Sequence, residues 1–316
     1  MKKRFLSTII IISLFLLPFN CLKVLATQTI DESNRLLEYY RYDAKTNEVS
    51  KLTHTQICNR NSPLKHFSSF NNNTETLNTE EYIPEHLSTQ VPSTIEPRGS
   101  MVEINPATGG QYRNTVYISY KKNNEILRAS GFMIGPAAVV TSGHVLYSDG
   151  KYATNIVVTP ARANSSSPYG SAEYSGVLVN SEWVEATNSD YDWGIIELET
   201  NIGDNVGWLG LETKTTSYND KSIMANGYPK EVNNVIKHTM YRVNGTISSS
   251  GTYVLFSSDT PGAGGMSGGP VYYYKSGNGY TAIGLVMGKS SSGKTMIIRF
   301  TRSLYDLLVS YRDYRA

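Results

Sequence analysis

Short runs of β-branched and aromatic residues, separated by turn residues, follow one another from about residue 110 onward. The runs cover 115–120, 129–134, 138–141, 155–158, 194–198, 221–225, 238–243, 252–257, 271–274 and 282–287. Runs of this length and composition predict β-strands. Because no helical pattern separates them, the region is predicted to be all-β, either barrels or a sandwich.

The end of the chain has a different pattern. Leu304, Leu307, Leu308 and Tyr311 recur at the spacing that places side chains on one face of a helix. We therefore predict one amphipathic helix, over about 302–314, that packs on the sheet.

The first residues have the pattern of a secretory signal. Residues 1–4 are basic, residues 5–19 are apolar, and 24–26 offers small residues for signal peptidase. The apolar run is shorter than the roughly 20 residues that a spanning helix needs. The sequence predicts a signal peptide over 1–26, an extracellular protein and no stable membrane association.

Residues 27–93 are polar and show little sustained periodicity, which favours a propeptide. The alternative is a small accessory domain that stays attached. Three of the five histidines of the chain fall here and are expected to be solvated: His54, His66 and His86. The only cysteines, Cys21 and Cys58, also precede the working domain, which is therefore expected to lack a disulfide.

Overall composition excludes some classes of function but indicates none. The 316 residues are 40% hydrophobic and carry a net charge of +2, which is enough for a sizeable core and gives no sign of a nucleic-acid partner. We expect a monomer without a cofactor or a metal ion.

Glycine, proline and alanine dominate the stretch 259–270, which contains Ser267 and lies between two predicted strands. Such a stretch can direct several backbone N–H groups at one point and leave a hydroxyl exposed, as a nucleophile with an oxyanion hole requires. A flexible linker is the alternative. The pattern G-x-S-x-G at 265–269 also occurs in α/β-hydrolases, but there a histidine follows the serine, and none does here.

A histidine and an acid upstream complete a candidate triad. His144 follows an apolar run and small residues, and His238, in a predicted strand, is the alternative base. Asp192 precedes an apolar strand, with Asp190 an equal candidate by composition. In the order His144, Asp192, Ser267, the serine would attack a carbonyl, the histidine would carry its proton and the aspartate would fix the tautomer.

Two other interpretations remain open. A dyad could join Ser267 to Lys275 or Lys289, and an inactive protease homologue could serve as a binding protein or toxin.

Five motifs together resemble the glutamyl endopeptidase branch of the chymotrypsin-like serine proteases, which Gram-positive bacteria such as Bacillus and Staphylococcus secrete. They are Ser-Gly-Phe-Met-Ile-Gly-Pro at 130–136, Thr-Ser-Gly-His at 141–144, Tyr-Asp-Trp-Gly-Ile-Ile-Glu-Leu at 191–198, Asn-Gly-Tyr-Pro at 226–229 and Gly-Gly-Met-Ser-Gly-Gly-Pro at 264–270.

The resemblance covers residues 94–316 and implies two antiparallel β-barrels with the active site between them. The first barrel, about 110–205, would carry His144 and Asp192, and the second, about 206–300, would carry Ser267. The resemblance also implies an oxyanion hole formed by the N–H groups of Gly265 and Ser267. The mature chain is expected to begin near Thr94, with cleavage after Glu96 or Arg98 as the alternative.

The chain departs from this family at the specificity pocket. Val286 occupies the place of the family's pocket histidine, and Gly262 that of its pocket threonine. Gly284 and Lys289 flank Val286 along the same segment, and a lysine at this spacing is similar to one in the staphylococcal exfoliative toxins. We therefore expect cleavage after acidic residues with Lys289 as the cation, or, without that role, a neutral pocket for small or apolar side chains.

Overall fold

The computed structural model describes residues 37–61, 76–87, 98–105 and 107–316. The predicted signal peptide, His66, and the expected mature terminus at Thr94 lie outside the described residues.

Strands dominate the described chain. In order they are β1 (Glu38–Asp43), β2 (Val49–Thr53), β3 (Thr76–Thr79), β4 (Met101–Ile104), β5 (Thr115–Lys122), β6 (Glu125–Met133), β7 (Ala138–Thr141), β8 (Tyr147–Ser148), β9 (Lys151–Tyr152), β10 (Thr154–Pro160), β11 (Ala172–Asn180), β12 (Gly194–Leu198), β13 (Gly210–Lys214), β14 (Ser222–Gly227), β15 (Glu231–Val232), β16 (Val235–Ile236), β17 (Met240–Thr246), β18 (Ser249–Ser250), β19 (Val254–Ser257), β20 (Pro270–Lys275), β21 (Gly279–Lys289) and β22 (Thr295–Arg299). The α-helices are α1 (His54–Asn61), α2 (Gly143–Leu146), α3 (Ser181–Ala186), α4 (Gly203–Val206) and α5 (Arg302–Ser310).

Six strands close the first barrel. Their order is β10-β5-β6-β7-β12-β11, and a further pairing of β10 with β11 completes the ring. Side chains such as Val116, Ile118, Val139 and Ile196 fill its interior and are fully buried. His144 follows β7 and Asp192 precedes β12, and because these two strands pair, both residues lie at one end of the barrel.

The second sheet forms a half-barrel. Its strands run β18-β19-β22-β21-β20-β14-β17-β4, and β13 joins β21 in parallel. The glycine-rich stretch with Ser267 connects β19 to β20. The prediction of a two-barrel, chymotrypsin-like all-β fold is confirmed, with the second barrel incompletely closed.

The C-terminal helix is confirmed and shorter than expected. It covers Arg302–Ser310 and continues as a 3-10 turn over Tyr311–Asp313. The Thr301 hydroxyl accepts a hydrogen bond from the N–H of Leu304, which caps its first turn.

The described part of the predicted propeptide is ordered on the protease domain, and we call its residues 37–61 and 76–87 the N-terminal strap. Strands β1 and β2 form a hairpin that pairs with β11, α1 contacts α5, and β3 pairs with β13. The expectation of a solvated His54 is therefore wrong. Its ring is buried and its Nδ1 lies 2.9 Å from the Tyr39 hydroxyl, whereas His86 is exposed.

Cys58, on α1, is a free and buried cysteine. Burial raises the pKa of its thiol to about 12, so it stays protonated at neutral pH.

Candidate active site

A histidine and a buried aspartate form the centre of the site. The Asp192 carboxylate accepts two hydrogen bonds, one from the backbone N–H of His144 at 2.7 Å and one from its Nδ1 at 2.8 Å. The Asp192 side chain is 4% exposed and that of His144 35%. One carboxylate thus fixes both the backbone and the ring of a histidine that still reaches solvent.

Local sequence explains why these two residues meet. Strand β7 ends at Thr141, and Gly143 then allows a close approach, because a Cβ there would lie 3.1 Å from the Asp192 carboxylate and 3.0 Å from the indole of Trp183. On the other side, Asn188 caps a 3-10 turn over Ser189–Tyr191 that ends at Asp192. The turn aims Asp192 at the start of α2.

The two alternative residues lie elsewhere. Asp190 lies within the 3-10 turn, where its backbone N–H donates to Asn188. His238 is exposed, and its Nδ1 lies 3.0 Å from the Arg128 guanidinium. Partial desolvation of its ring and the positive charges of Arg128 and Arg162 lower its pKa. Of the candidates, the structure brings Asp192 and His144 together.

Ser130, on β6, connects the nucleophile loop to the first barrel. Its backbone N–H donates to the carbonyl of Ser267 at 3.0 Å, and its hydroxyl donates to the carbonyl of Gly265 at 2.7 Å. The same hydroxyl accepts the N–H of Tyr228 at 2.8 Å. One serine therefore holds both lobes and the loop between them in register.

The loop also packs against the turn that leads to His144. Gly268 has a φ of +84°, and a Cβ at this position would lie 2.2 Å from the Thr141 hydroxyl and 2.2 Å from the Ser130 carbonyl. The N–H of Gly268 donates to Val286, whose carbonyl also accepts the Ser142 hydroxyl at 3.1 Å. Only glycine fits here, and its absence of a side chain brings Ser267 close to the histidine turn.

Gly265 directs the backbone before the serine. Its φ is +97°, and a Cβ would lie 2.5 Å from the carbonyl of Tyr228. The preceding carbonyl, of Gly264, accepts the N–H of Lys230 at 2.6 Å. Because the C=O and N–H of one trans peptide point in opposite directions, the N–H of Gly265 points away from Lys230.

Several backbone N–H groups of this loop, including those of Gly262, Ala263 and Gly264, have no hydrogen-bond acceptor in the part of the chain that the structure describes. The N–H groups of Gly265 and Ser267 have no acceptor there, whereas that of Met266, between them, donates to Ala263 at 3.1 Å. An N–H group without an acceptor is one requirement for a donor of an oxyanion hole.

The hydroxyl of Ser267 is half-buried and donates to the carbonyl of Met287 at 3.4 Å, a long contact. Among the described residues it forms no hydrogen bond with His144, and catalytic contacts of that kind are often long or poorly aligned before substrate binds. Lys275, an alternative base, is bound by Glu212 on the second lobe and by Asn78 of the N-terminal strap. The remaining alternative, Lys289, lies beside Gly262.

The expected specificity residues occupy one region of the second lobe. A Cβ on Gly262 would lie 3.4 Å from Cε of Lys289, whose side chain is exposed. Val286 is buried. Gly284 has a packing reason, because a Cβ there would lie 2.2 Å from the Ile298 carbonyl of β22.

An open pocket of about 340 Å³ lies beside Lys289 and is also lined by Arg98, Asp259 and Thr260. Asp259 is already engaged, since its Oδ1 accepts the N–H of Thr246 and the hydroxyl of Ser257. The pocket is therefore lined by two cations, Arg98 and Lys289, and by one carboxylate whose Oδ1 already accepts two hydrogen bonds.

Sequence reasoning missed three contributors to this site: the hydroxyls of Ser130 and Ser142 and the backbone N–H of Lys230. Both serines lie within the motifs quoted above, so a family pattern marks their positions but not the bonds they make. Lys230 contributes only its backbone N–H, which any residue except proline could supply, so the sequence gives no sign of this role.

Two features of the described residues bear on other kinds of function. No group of three or more His, Cys, Asp or Glu side chains among them is placed to hold a metal ion. None of the helices formed by these residues combines the length and apolarity needed to cross a bilayer.

Comparison with known sequences places the chain among proteases. The Trypsin family profile matches residues 101–306. The chain is 35% identical over 217 residues to the "Extracellular metalloprotease" of Bacillus subtilis (strain 168), covering 66% of this chain and 67% of that protein. It is 33% identical over 221 residues to the "Glutamyl endopeptidase" of Bacillus licheniformis, covering 66% of each.

Solved structures agree on the fold. A Glu endopeptidase in complex with MPD has a TM-score of 0.59 at 20% identity, covering 68% of this chain and 97% of that one. The protease Anisep from Arthrobacter nicotinovorans has a TM-score of 0.55 at 21% identity, covering 67% and 98%. Because the profile matches well over half of the chain and the closed barrel, half-barrel and terminal helix agree with these structures, the chain belongs to the trypsin family and is a serine endopeptidase.

Proposed function

We propose that this protein is secreted by a Gram-positive bacterium as a zymogen and acts as a monomer. It hydrolyses peptide bonds through Ser267, His144 and Asp192, and it prefers an acidic residue before the scissile bond. The observation that carries the catalytic part is the double hydrogen bond from His144 to the buried Asp192, next to the turn against which the Ser267 loop packs.

The hydrogen bonds support a distinct role for each group. An ionised carboxylate only accepts, so the contact with Asp192 keeps a proton on Nδ1 of His144 and leaves Nε2 free as a base. Nε2 takes the proton of the Ser267 hydroxyl as its oxygen attacks the carbonyl carbon. Asp192 stabilises the imidazolium that forms, and this imidazolium then protonates the leaving amine. Water then attacks the carbonyl of the acyl-enzyme with His144 again as the base. The acid product leaves and the Ser267 hydroxyl is restored.

The unused N–H groups of Gly265 and Ser267 would receive the developing oxyanion. The hydrogen bond from the N–H of Lys230 to the carbonyl of Gly264 supports this role, because it holds the Gly265 peptide in one orientation before substrate arrives. A preorganised pair of donors also favours an active enzyme over an inactive homologue, which has no need of one.

A fluorophosphonate probe tests the catalytic proposal. The secreted protein should be labelled at Ser267, as mapped by peptide mass, and His144→Ala should prevent labelling. Activity that resists the probe but disappears with a chelator would instead indicate the metal-dependent chemistry named for the Bacillus subtilis relative. The absence of both labelling and hydrolysis would favour a binding protein.

Cleavage after acidic residues depends on the charge near Gly262. A substrate carboxylate in a half-buried pocket needs a cation, and Val286 offers none, whereas Lys289 and Arg98 border the adjoining pocket. The name of the Bacillus licheniformis relative agrees with this preference. In the alternative, Val286 lines a neutral pocket that takes small or apolar side chains, and Lys289 is a solvated surface charge.

A peptide library with varied residues before the cleavage site separates these cases. We expect Lys289→Ala to lower kcat/KM for glutamyl substrates about tenfold or more relative to alanyl substrates. The neighbouring and exposed Lys294 provides a matched control. A glutamyl preference that survives Lys289→Ala would remove Lys289 from the pocket.

Maturation is proposed to remove the signal peptide over 1–26 and to cut the chain near Thr94, at the end of a propeptide over 27–93. N-terminal sequencing of the secreted enzyme is the direct measurement. Full activity in a chain that still begins near Thr27, with no internal cut, would contradict a zymogen.

A further inference from the structure

The N-terminal strap extends the sheets of both lobes. Strand β1 pairs with β11 over five residue pairs, from Tyr39 opposite Asn180 to Asp43 opposite Gly176. Strand β3 pairs with β13 over four, ending with Thr79 opposite Leu211. A propeptide that only covers a cleft would have no need of main-chain pairing at two separate edges.

The strap also completes the hydrophobic core. Tyr39 is fully buried, and its ring centroid lies 5.8 Å from that of Trp193, the residue directly after Asp192. Ile57, on α1, is buried in the same cluster as Leu304 and Leu308 of α5. Removal of the strap would expose this cluster to water.

A buried charge depends on the strap as well. Glu197, on β12, is fully buried, and its Oε2 accepts two hydrogen bonds from the Arg41 guanidinium, at 2.9 and 2.7 Å. Its other oxygen accepts the Tyr311 hydroxyl at 3.0 Å. Arg41 also contacts Asp43, within the strap. Without Arg41, a carboxylate in the interior of the protease domain would lose its cation.

The second strap segment makes similar contacts on the other lobe. The rings of Tyr82 and Trp208 stack with centroids 4.2 Å apart, and their backbones exchange two hydrogen bonds. Glu81 accepts the N–H of Tyr280 at 3.0 Å. In the described parts of the chain, none of the strap's hydrogen bonds or ring contacts reaches His144, Asp192 or Ser267.

We propose that the strap is a retained subunit of the enzyme, which stays bound to the protease domain without a covalent link after the chain is cut. Its binding surface is the β11 edge, the Glu197 carboxylate and Trp193 on the first lobe, the β13 edge on the second, and the C-terminal helix α5. Only the biological cut itself rests on the proposed maturation. The strap's retention is a property of the fold.

The test uses the full chain with Ser267→Ala, so that the enzyme cannot cleave itself, and a recognition sequence for a site-specific protease between Leu87 and Arg98. After the cut, native size-exclusion chromatography followed by denaturing electrophoresis should show two chains in a single peak. A fragment that leaves on dilution, while the remainder stays folded, would overturn the proposal.

Matched variants of the cut protein locate the binding energy. Arg41→Met should weaken retention about 100-fold or more, because it leaves Glu197 buried without a cation. Lys45→Met, in the same hairpin, should change it less than about threefold, since Lys45 is 75% exposed and 3.8 Å from Glu199. Adding Glu197→Gln to Arg41→Met should recover part of the loss. Equal effects of Arg41→Met and Lys45→Met would contradict the assigned surface.

The same measurement on the secreted wild type distinguishes this proposal from the preceding one. A single uncut chain would contradict the proposed maturation. The engineered cut would still decide whether the strap stays bound. A cut enzyme that purifies without the strap and keeps its full activity and thermal stability would overturn the retained subunit alone.

Discussion

The active-site cleft and the N-terminal strap each depend on an acidic residue from one short stretch of chain. Asp192 lies just before β12 and is 3% exposed, and Glu197 lies within β12 and is fully buried. The partner of Asp192, His144, comes from the same barrel. The partner of Glu197, Arg41, is 156 residues away in the strap.

The two pairs differ in what the partner has to do. His144 must be held and yet be free to exchange protons, so it remains partly exposed. Arg41 only has to compensate a charge, and its planar guanidinium binds one carboxylate oxygen through two nitrogens. Changes at the first pair should therefore alter rate and leave folding nearly intact, and changes at the second should do the reverse.

The largest expected effect is on the rate. Ser267→Ala or His144→Ala should lower kcat by about 10⁴ to 10⁶, as in other triads, while the unfolding midpoint in urea changes little. Peptide hydrolysis and urea unfolding measured on the same preparations check both statements. A large fall in stability would mean that these residues also hold the fold together.

The next effect separates the two acids. Asp192→Asn should lower kcat about 10⁴-fold, because an amide no longer fixes the tautomer of His144. Glu197→Gln should leave kcat within about threefold and lower the free energy of unfolding by about 3 kcal/mol, since Arg41 loses its buried counter-charge. Asp190→Asn is the control, and a crippling effect there with a mild one at Asp192 would reassign the acid.

A smaller effect tests the strap's share of the core. Tyr39→Ala should lower the free energy of unfolding of the uncut chain by about 3 to 5 kcal/mol, because it empties a fully buried site beside Trp193. Tyr40→Ala, at the next position, should cost about 1 kcal/mol or less, since the Tyr40 hydroxyl makes an exposed contact with Glu185. Similar losses at both positions would mean that the strap packs only loosely.

Sequence reasoning predicted the cleft better than the strap for a physical reason. Catalysis demands particular residue types in a particular order, so His144, Asp192 and the glycines around Ser267 stand out. The strand pattern likewise located β7 and β12, whose short apolar runs are bounded by turn residues. Strands β11 and β22 were not predicted, because Ser175 and Gly176 interrupt the first and Arg299 ends the second.

The sequence did not predict the strap, because its contacts join residues that are far apart along the chain. Arg41 and Glu197 are each ordinary charged residues, and only the pairing of β1 with β11 brings them together. The polar neighbours of His54 in sequence predict a solvated side chain, whereas the fold buries it against the core. Composition predicts exposure on average, and tertiary contacts decide it at single positions.

The smallest effect that we predict concerns this histidine and pH. Burial lowers the pKa of His54 to about 4, below the roughly 6.5 of an unfolded chain, so the folded strap binds fewer protons than the unfolded one. His54 therefore stabilises the fold fully above about pH 6.5, and its contribution is lost as the pH falls toward 4. Between pH 7 and pH 5 the loss should be about 2 kcal/mol.

Urea unfolding of the Ser267→Ala chain at the two pH values measures this loss. His54→Gln, which can still bond the Tyr39 hydroxyl but does not titrate, should reduce the pH dependence by about 2 kcal/mol. His86→Gln, an exposed histidine of the same strap, should leave the dependence as it is in the parent. If His54→Gln and the parent lose equal stability on acidification, the strap's response to acid arises elsewhere.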